Sequence, residues 1–322
     1  MTTLRLGSRG SQLALYQAHL VADRIGAASA AQVEIVIIKT SGDRLQELPL
    51  SEIGGKRLFV KEIEDALLAN EIDLAVHSSK DMPAVLPDGL ELGAVLERED
   101  PRDALVLPAS TNGAINREDK NPVDAVRAAL PPGARIGTGS VRRIAQLERL
   151  FPGANFENVR GNLDTRLRKL DEGRYDLLVL AAAGLRRLGF ASRISAAVPV
   201  DMCVPAPGQG IIAIEIRGGD ASTREAVARV NAPDAWAALE AERALVAGLG
   251  GGCQMPIGGV AVPADAGDLE LHAVVTSLDG ARAIRYKKRG SRSEPARLGA
   301  SAAAHLLEQG ADAILNDIRR PI

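Results

Sequence analysis

Short apolar runs alternate with helix-like segments along the first two thirds of the chain. The runs at residues 33–38, 73–76 and 211–216 are almost entirely apolar, as in strands that are covered on both faces of a sheet. Residues 59–70 instead repeat apolar positions every three or four residues, which predicts an amphipathic helix. Further strands are predicted at residues 4–6, 90–96, 104–107, 135–136, 155–159 and 177–181. This alternation predicts an α/β fold with largely parallel sheets.

The last third of the chain has a different pattern. A helix is predicted from about residue 233 to residue 247, and two alternating strands follow at 269–277 and 283–289. The pair Asp279-Gly280 between these strands is a hairpin signal. Amphipathic helices are predicted around 295–308 and 311–318. Residues 233–322 are therefore predicted to form a small α+β domain.

Two segments suggest where the chain passes from one domain to another. A charged turn covers residues 97–103, and a segment rich in proline and glycine covers 198–210. We expect a first domain from residues 1–99 and 211–230, and a second from 105–204. The polar, glycine-bearing segment 40–57 is long for a loop within a domain and predicts a mobile lid. The segment 111–122 is predicted to be a surface insertion.

The amino-acid composition and net charge argue against several classes of function. The 322 residues are 46% hydrophobic and 25% charged, which is typical of a folded protein of two or three domains. A net charge of −2 and only 2% aromatic residues argue against a nucleic-acid or membrane partner. The four histidines are scattered and the two cysteines cannot form a disulfide framework, so we expect no metal site. No signal peptide is recognisable, and we expect a cytoplasmic protein.

Arginines recur where a predicted strand ends and a helix begins. The segments GTGSVRR, RGNLDTR and AAGLRR each follow a strand, and together they carry Arg142, Arg143, Arg160, Arg166 and Arg187. Arg9 and Ser11 stand at a similar turn near the N-terminus. Arginine binds carboxylates and phosphates through paired hydrogen bonds. We therefore predict one cleft that binds a ligand with several carboxylates or phosphates.

Two further segments contain candidate catalytic or ligand-binding residues. The strand at 73–76 leads directly into HSSKDMP, so Lys80 and Asp81 lie either at a ligand site beyond the strand or in an ordinary surface turn. The second segment, GLGGGCQMPIGG, places Cys253 between glycines, in a loop rather than a helix or central strand. Its thiol is either a functional nucleophile or a small buried side chain. Cys203 is predicted to be an apolar filler near the second domain crossing.

The segments SRGSQLAL, DLAVHSSKDMP, GTGSVRR, VRGNLDTRLRKLDEG, PAPGQGIIAIE and GGGCQMPIGG occur in this order and closely resemble the hydroxymethylbilane synthase (porphobilinogen deaminase) family. The resemblance implies two lobes of the type II periplasmic-binding-protein architecture and a third domain that carries the cysteine. It also implies a transferase that joins four porphobilinogen molecules head to tail, each with loss of ammonia, before water releases the linear tetrapyrrole. A monomer is expected.

The resemblance also implies roles for individual residues. Cys253 would bear a dipyrromethane cofactor through a thioether, and Asp81 would be the catalytic carboxylate, which we expect to be buried. The cofactor would be held by Lys80, Asp81, Ser140, Arg142 and Arg143, and the substrate by Arg9, Ser11, Arg160, Arg166 and Arg187. Gln12, Tyr16, Ser79 and Gly139 depart from the residues expected at these positions. Two other functions remain open: a polyanion-binding protein, and a cysteine-nucleophile transferase or amidase without a cofactor.

Overall fold

The computed structural model describes residues 3–29, 31–44, 59–111, 121–251 and 255–319. The strands are β1 Thr3–Ser8, β2 Gln32–Ile37, β3 Leu74–Ser78, β4 Leu90–Val95, β5 Asp103–Val106, β6 Arg135–Gly137, β7 Asn155–Glu157, β8 Leu177–Ala181, β9 Ala196–Ala197, β10 Ile212–Arg217, β11 Ile257–Pro263, β12 Asp268–Thr276 and β13 Ala283–Ser291. The helices are α1 Gln12–Ser29, α2 Ser41–Arg44, α3 Lys61–Leu68, α4 Pro122–Ala128, α5 Val141–Leu147, α6 Leu163–Asp171, α7 Ala182–Arg187, α8 Ala221–Ala228, α9 Pro233–Gly248, α10 Pro295–Glu308 and α11 Ala311–Arg319.

The first lobe is built on a five-stranded sheet in the order β2-β1-β3-β10-β4. The strands β1, β2 and β3 are parallel, whereas β10 pairs antiparallel with β3 and with β4. Helix α1 covers one face with Ala18, Val21 and Ile25, which pack on Leu6 and Ile214. Because β10 comes from a point more than a hundred residues after β4, the first lobe is assembled from two separate parts of the chain.

The second lobe repeats this arrangement with different strands. Its sheet has the order β7-β6-β8-β5-β9, and the strand that enters from the first lobe, β5, is antiparallel to its neighbours β8 and β9. All four residues of β5 are buried. The two lobes thus share one strand order, with one antiparallel strand in each supplied across the crossover. This is the two-lobed type II periplasmic-binding-protein architecture that the family resemblance implied.

The C-terminal domain packs three helices on an antiparallel sheet, β11-β12-β13. Ala241 and Leu245 of α9, Leu306 of α10 and Ile314 of α11 share one apolar core with Leu271 of β12. Another face of α9 belongs to a different apolar cluster, together with residues of the first lobe. Helix α9 therefore contributes to the core of its own domain and to the contact with the first lobe.

Most predicted elements are present, with some differences. The hairpin at Asp279-Gly280 is confirmed, since β12 and β13 pair on either side of it and Gly280 has a φ of 64°. The prediction that 33–38 is covered on both faces is wrong, because β2 is an edge strand whose side chains are exposed or half-buried. The domain boundaries 1–99 with 211–230, 105–204 and 233–322 stay a prediction. The predicted lid 40–57 begins with α2, and its residues 45–57 lie outside the described residues, as do residues 112–120 of the predicted insertion.

Within the described ranges, no helix has the length and apolar character needed to span a bilayer. Those same ranges contain no cluster of three or more potential metal ligands among histidine, cysteine, aspartate and glutamate.

Candidate active site

A cavity of about 670 Å³ opens where the two lobes meet the C-terminal domain. The ends of β1, β3 and β8, the first turns of α1 and α5, and helix α9 all contribute to its walls. Its charged lining is strongly cationic: among the described residues it consists of Arg9, Lys80, Arg142, Arg143, Arg160, Arg166, Arg187 and Arg243, against the carboxylates of Asp81 and Asp164. Eight cations and two carboxylates in one cavity create a positive potential that favours a polyanionic ligand.

Lys80 and Asp81 lie in a short 3₁₀ turn, Ser79–Asp81, that directly follows β3. The Lys80 ammonium donates to Oε1 of Gln209 at 3.3 Å. Burial and the neighbouring Arg142 and Arg143 charges lower the pKa of Lys80 to about 8, although Asp81 and Asp103 oppose the shift. The expectation that Asp81 is buried is wrong: its side chain is exposed to the cavity, and no described residue hydrogen-bonds its carboxylate. Asp81 is thus an available acceptor.

Arg142 and Arg143 begin α5 and are almost fully buried, with 3% and 6% of their surface exposed. Both contact Asp103, which is fully buried: Arg142 Nη1 lies 2.8 Å from Oδ2, and Arg143 Nη2 lies 2.9 Å from Oδ1. Burial alone would raise the pKa of Asp103, but the two guanidinium charges outweigh it and hold that pKa far below its usual range. Several N–H groups of these two arginines therefore bind Asp103 and are not available to a ligand. The sequence analysis did not predict this internal ion pair.

The same cluster corrects the prediction for Cys203. Its side chain is buried, but it is not merely an apolar filler, because Sγ lies 3.4 Å from Oδ2 of Asp103 and 3.5 Å from Nη1 of Arg142. Burial, reinforced by the Asp103 charge, raises the pKa of this thiol to about 12. Cys203 is therefore protonated and enclosed near neutral pH.

Three arginines of the second lobe reach the cavity with fewer internal partners. No described group hydrogen-bonds the buried Nε of Arg160, and burial lowers the pKa of this guanidinium. Arg166 donates Nε to the carbonyl of Gly161 at 2.8 Å, and burial, together with the charges of Arg143 and Arg160, lowers its pKa to about 10. Arg187 donates Nη2 to the carbonyl of Gly210 at 2.6 Å. Partly desolvated guanidiniums with unused donors are well suited to bind carboxylates.

Ser140 is the N-cap residue of α5, but its hydroxyl makes no capping hydrogen bond and lines the cavity.

Arg9 and Ser11 occupy the turn between β1 and α1. Arg9 lies over the ring of Phe59, 4.3 Å from its centroid, and its Nε and Nη2 donate to Oδ1 of Asp43 at 3.1 and 2.5 Å. Desolvation would raise the pKa of Asp43, but the bonds from Arg9 and Thr40 lower it below its usual value. Ser11 Oγ accepts from the amide of Ala14 at 3.3 Å and caps α1. An internal carboxylate thus occupies one edge of the Arg9 guanidinium.

Cys253 lies outside the described residues, but both ends of its loop are described. At the N-terminal end, Nη2 of Arg319 donates to the carbonyls of Leu249 and Gly250 at 3.1 and 2.6 Å. Gly250 has a φ of 59°, which a residue with a side chain adopts only with strain. The part of the cavity wall that is formed by residues later in the sequence than the cysteine is apolar and consists of Met255, Ile257, Leu278 and Ile318. Val246, in the helix before the loop, and Met255, after the cysteine, therefore both line the cavity.

The structure brings ten of the eleven predicted site residues to one cavity; their roles remain predictions. Sequence reasoning missed Asp43, Asp103, Gln209 and Arg243. Asp103 ends the charged turn at residues 97–103, and Gln209 lies in the segment PAPGQGIIAIE, so their positions in these two segments could have indicated them. Arg243 gave no such signal, because it lies within a helix and only the tertiary fold turns it toward the cavity.

Comparison with known proteins gives consistent matches along the chain. The family model described as "Porphobilinogen deaminase, dipyromethane cofactor binding domain" matches residues 4–225, and "Porphobilinogen deaminase, C-terminal domain" matches residues 236–308. A porphobilinogen deaminase of Syntrophobacter fumaroxidans is 46% identical over 98% of both chains. One of Roseiflexus castenholzii is 45% identical over 97% of this chain and 98% of its own.

Solved structures similar to this chain include an ancestral cationic amino acid solute-binding protein, with a TM-score of 0.41 and 15% identity over 71% of this chain and 87% of that one. A substrate-binding domain of a putative amino acid ABC transporter from Streptococcus pneumoniae has a TM-score of 0.42 and 10% identity, covering 71% and 91%.

Proposed function

This chain belongs to the porphobilinogen deaminase family, and from that premise we propose which of its residues perform the reaction. The function is that of hydroxymethylbilane synthase, a transferase that condenses four porphobilinogen molecules head to tail on a dipyrromethane and releases ammonia at each step. Hydrolysis then gives the linear tetrapyrrole. The observation that carries the residue assignment is the convergence of eight cationic side chains on one cavity with an exposed aspartate.

The cations of the cavity bind the carboxylates of the pyrrole rings. Each ring carries an acetate and a propionate, so every ring that enters brings two negative charges. Arg160, Arg166 and Arg187 have unused donors and bind incoming substrate, together with Arg9 and Ser11. A charge-assisted hydrogen bond of this kind contributes about 1.5–3 kcal/mol when it is shielded from water. The substrate is therefore oriented by its carboxylates, with its reacting carbon free to approach Asp81.

Residues of the turn after β3 and of the start of α5 fit the dipyrromethane. Its two rings carry four carboxylates, and Lys80, Ser140, Arg142 and Arg143, which all line the cavity, offer three positive charges and a hydroxyl. Although Arg142 and Arg143 hold Asp103, their guanidiniums have five donors each and their charge still reaches the cavity. When bound, the dipyrromethane supplies the pyrrole carbon to which the first porphobilinogen is joined.

Cys253 is the proposed attachment site. A thioether requires a nucleophilic thiol, and Cys203, the other cysteine, is buried with a thiol pKa raised to about 12. The glycines around Cys253 allow the chain to approach a ligand closely. Met255, two residues after the cysteine in the sequence, lines the cavity, which supports attachment from that side.

Asp81 is the proposed catalytic residue. An ionised carboxylate only accepts hydrogen bonds, so Asp81 can hold pyrrole N–H groups of the substrate. Loss of ammonia leaves positive charge on the substrate, and a carboxylate fixed next to that charge stabilises the transition state. After the new carbon–carbon bond has formed, the same carboxylate can accept the proton that is lost from the pyrrole carbon. No described residue hydrogen-bonds the Asp81 carboxylate, and this availability supports the proposed role.

We also propose that the protein acts in the cytoplasm as a monomer, without a nucleic-acid or membrane partner. Light scattering during gel filtration tests the monomer directly: the expected mass is near 33.8 kDa, and a mass of twice that value would refute it.

The residue assignment is tested by steady-state kinetics together with product stoichiometry. Wild type should release four ammonia molecules for each tetrapyrrole formed. Arg160→Gln should raise KM for porphobilinogen by about tenfold, since one lost charge-assisted bond is worth at least about 1.4 kcal/mol. Arg168→Gln, which removes an exposed arginine of α6 that does not line the cavity, is the matched control. Equal KM values for the two variants would refute the assignment.

A further inference from the structure

Helix α9 presents one continuous stripe to the first lobe. Ala235, Leu239 and Arg243 follow one another at intervals of four residues and lie on one face of the helix. Ala235 and Leu239 are buried in an apolar cluster with Met82 and Ile211 of the first lobe. Arg243 is the polar end of this stripe, and it is half-buried at the wall of the cavity.

The Arg243 guanidinium binds the backbone that follows Asp81. Its Nη1 donates to the carbonyl of Pro83 at 2.9 Å, and its Nη2 donates to the carbonyl of Ala84 at 2.7 Å. Burial lowers the pKa of this guanidinium, while the nearby charge of the buried Glu215 opposes the shift. Two short bonds from a rigid, planar fork to consecutive carbonyls fix both the position and the direction of that turn.

Arg243 is also close in sequence to the cysteine loop. Helix α9 ends at Gly248, and the chain reaches Cys253 five residues later. One side chain therefore connects the turn that carries Asp81 to the helix that delivers Cys253. Among the cationic side chains that line the described part of the cavity, Arg243 is the one that comes from the C-terminal domain.

We propose that Arg243 is a positioning residue for the condensation, holding the Lys80–Asp81 turn in register with the domain that carries Cys253. This inference rests on the proposed roles of Asp81 and Cys253. A displacement of about 1 Å at reacting groups can reduce a rate by about a hundredfold, so a small shift of this turn would slow every addition step. Substrate binding depends on Arg160, Arg166 and Arg187 of the second lobe and on Arg9 and Ser11, none of which lies in this turn, and would change little.

The experiment compares Arg243→Met, Arg243→Lys and the control Arg297→Met, which removes an exposed arginine of α10. For each holoenzyme we would measure kcat and KM for porphobilinogen, and amide hydrogen exchange in residues 79–86. Arg243→Met should lower kcat by about tenfold or more, leave KM within about threefold, and speed exchange in that segment. Arg243→Lys should recover part of kcat, since an ammonium can still donate to a carbonyl. The control should match wild type in all three quantities.

Three results would overturn the inference. Unchanged kcat and unchanged exchange in Arg243→Met would show that the two hydrogen bonds do not hold the turn. A raised KM with normal kcat would make Arg243 a direct ligand of substrate carboxylates. A fall of more than about 4 °C in melting temperature, with Arg243→Lys no better than Arg243→Met, would make it a purely structural residue. If wild type itself neither carried the cofactor nor used porphobilinogen, the proposed function would fail instead, while the exchange data would still report on the turn.

Discussion

Replacing Asp103 by asparagine tests whether the buried arginine pair depends on an internal carboxylate. Asp103 is fully buried and receives hydrogen bonds from Arg142, Arg143 and Gln209, at 2.8, 3.0 and 2.9 Å. Removing one partner of a buried ion pair costs about 3–5 kcal/mol, because the remaining charge stays in the interior without compensation. Each guanidinium keeps one backbone carbonyl, that of Val204 or Val179. We therefore expect the lower end, a loss of about 3 kcal/mol in the free energy of unfolding.

Urea unfolding followed by far-UV circular dichroism measures this loss. A typical protein is stable by only about 5–15 kcal/mol, so 3 kcal/mol is a large and readily measured fraction. The control is Asp65→Asn, which neutralises an exposed carboxylate of α3 and should change stability by no more than about 0.5 kcal/mol. A loss below about 1 kcal/mol for Asp103→Asn would refute the reasoning, because the two arginines would then not need the carboxylate.

The pH dependence of the same comparison follows from the lowered pKa of Asp103. In the unfolded chain an aspartate titrates near pH ~3.9, and in the folded protein the Asp103 pKa lies far below that value. The stabilising effect is therefore fully present above the unfolded pKa and is lost only as pH falls toward the folded one. The difference between wild type and Asp103→Asn should be constant from about pH 5 to pH 8, and a difference that varied across this range would contradict the assignment.

Three further predictions concern the cavity. Assembly of the dipyrromethane on the cofactor-free protein from preformed hydroxymethylbilane should slow as pH increases through about 8, where Lys80 loses its charge, and Lys80→Arg should remove this dependence; a pH-independent assembly rate in wild type would contradict it. Asp43→Asn should lower KM by up to about fivefold, because a carboxylate that competes for Arg9 is removed, and an unchanged or higher KM would show that Asp43 instead orients Arg9. Asp81→Ala should keep KM but lower kcat by about 10²–10³, and unchanged turnover would exclude Asp81 from catalysis.

The sequence predicted features that depend on local pattern. The alternation of strands and helices, and the different pattern of apolar residues after residue 230, predicted the three sheets. This was possible because the spacing of apolar residues indicates which face of an element is buried. Arginines placed after strands predicted the cationic cavity, since the carboxyl ends of neighbouring parallel strands meet at one edge of a sheet. These inferences needed only the order of residues and the geometry of parallel sheets.

Features set by contacts between distant segments were not predictable. The apolar run of β2 is typical of a central strand, and only the sheet order shows that β2 lies at an edge. Asp103 lies about forty residues before the two arginines that it binds, and no spacing rule links them. The same holds for Arg243 and the turn after Asp81, which are about 160 residues apart. In each case the contact depends on how the lobes and domains pack together. Such packing leaves no periodic pattern in the sequence from which the partner could be predicted.

The central claim is that a dipyrromethane attached at Cys253 is extended by porphobilinogen within the cationic cavity. Intact mass spectrometry of purified wild type and Cys253→Ser tests it most directly. We predict an adduct of dipyrromethane mass on wild type alone, which grows in discrete single-pyrrole steps when porphobilinogen is added. A wild-type chain that kept its bare mass after incubation with porphobilinogen or with preformed hydroxymethylbilane, or an equal adduct on Cys253→Ser, would contradict it.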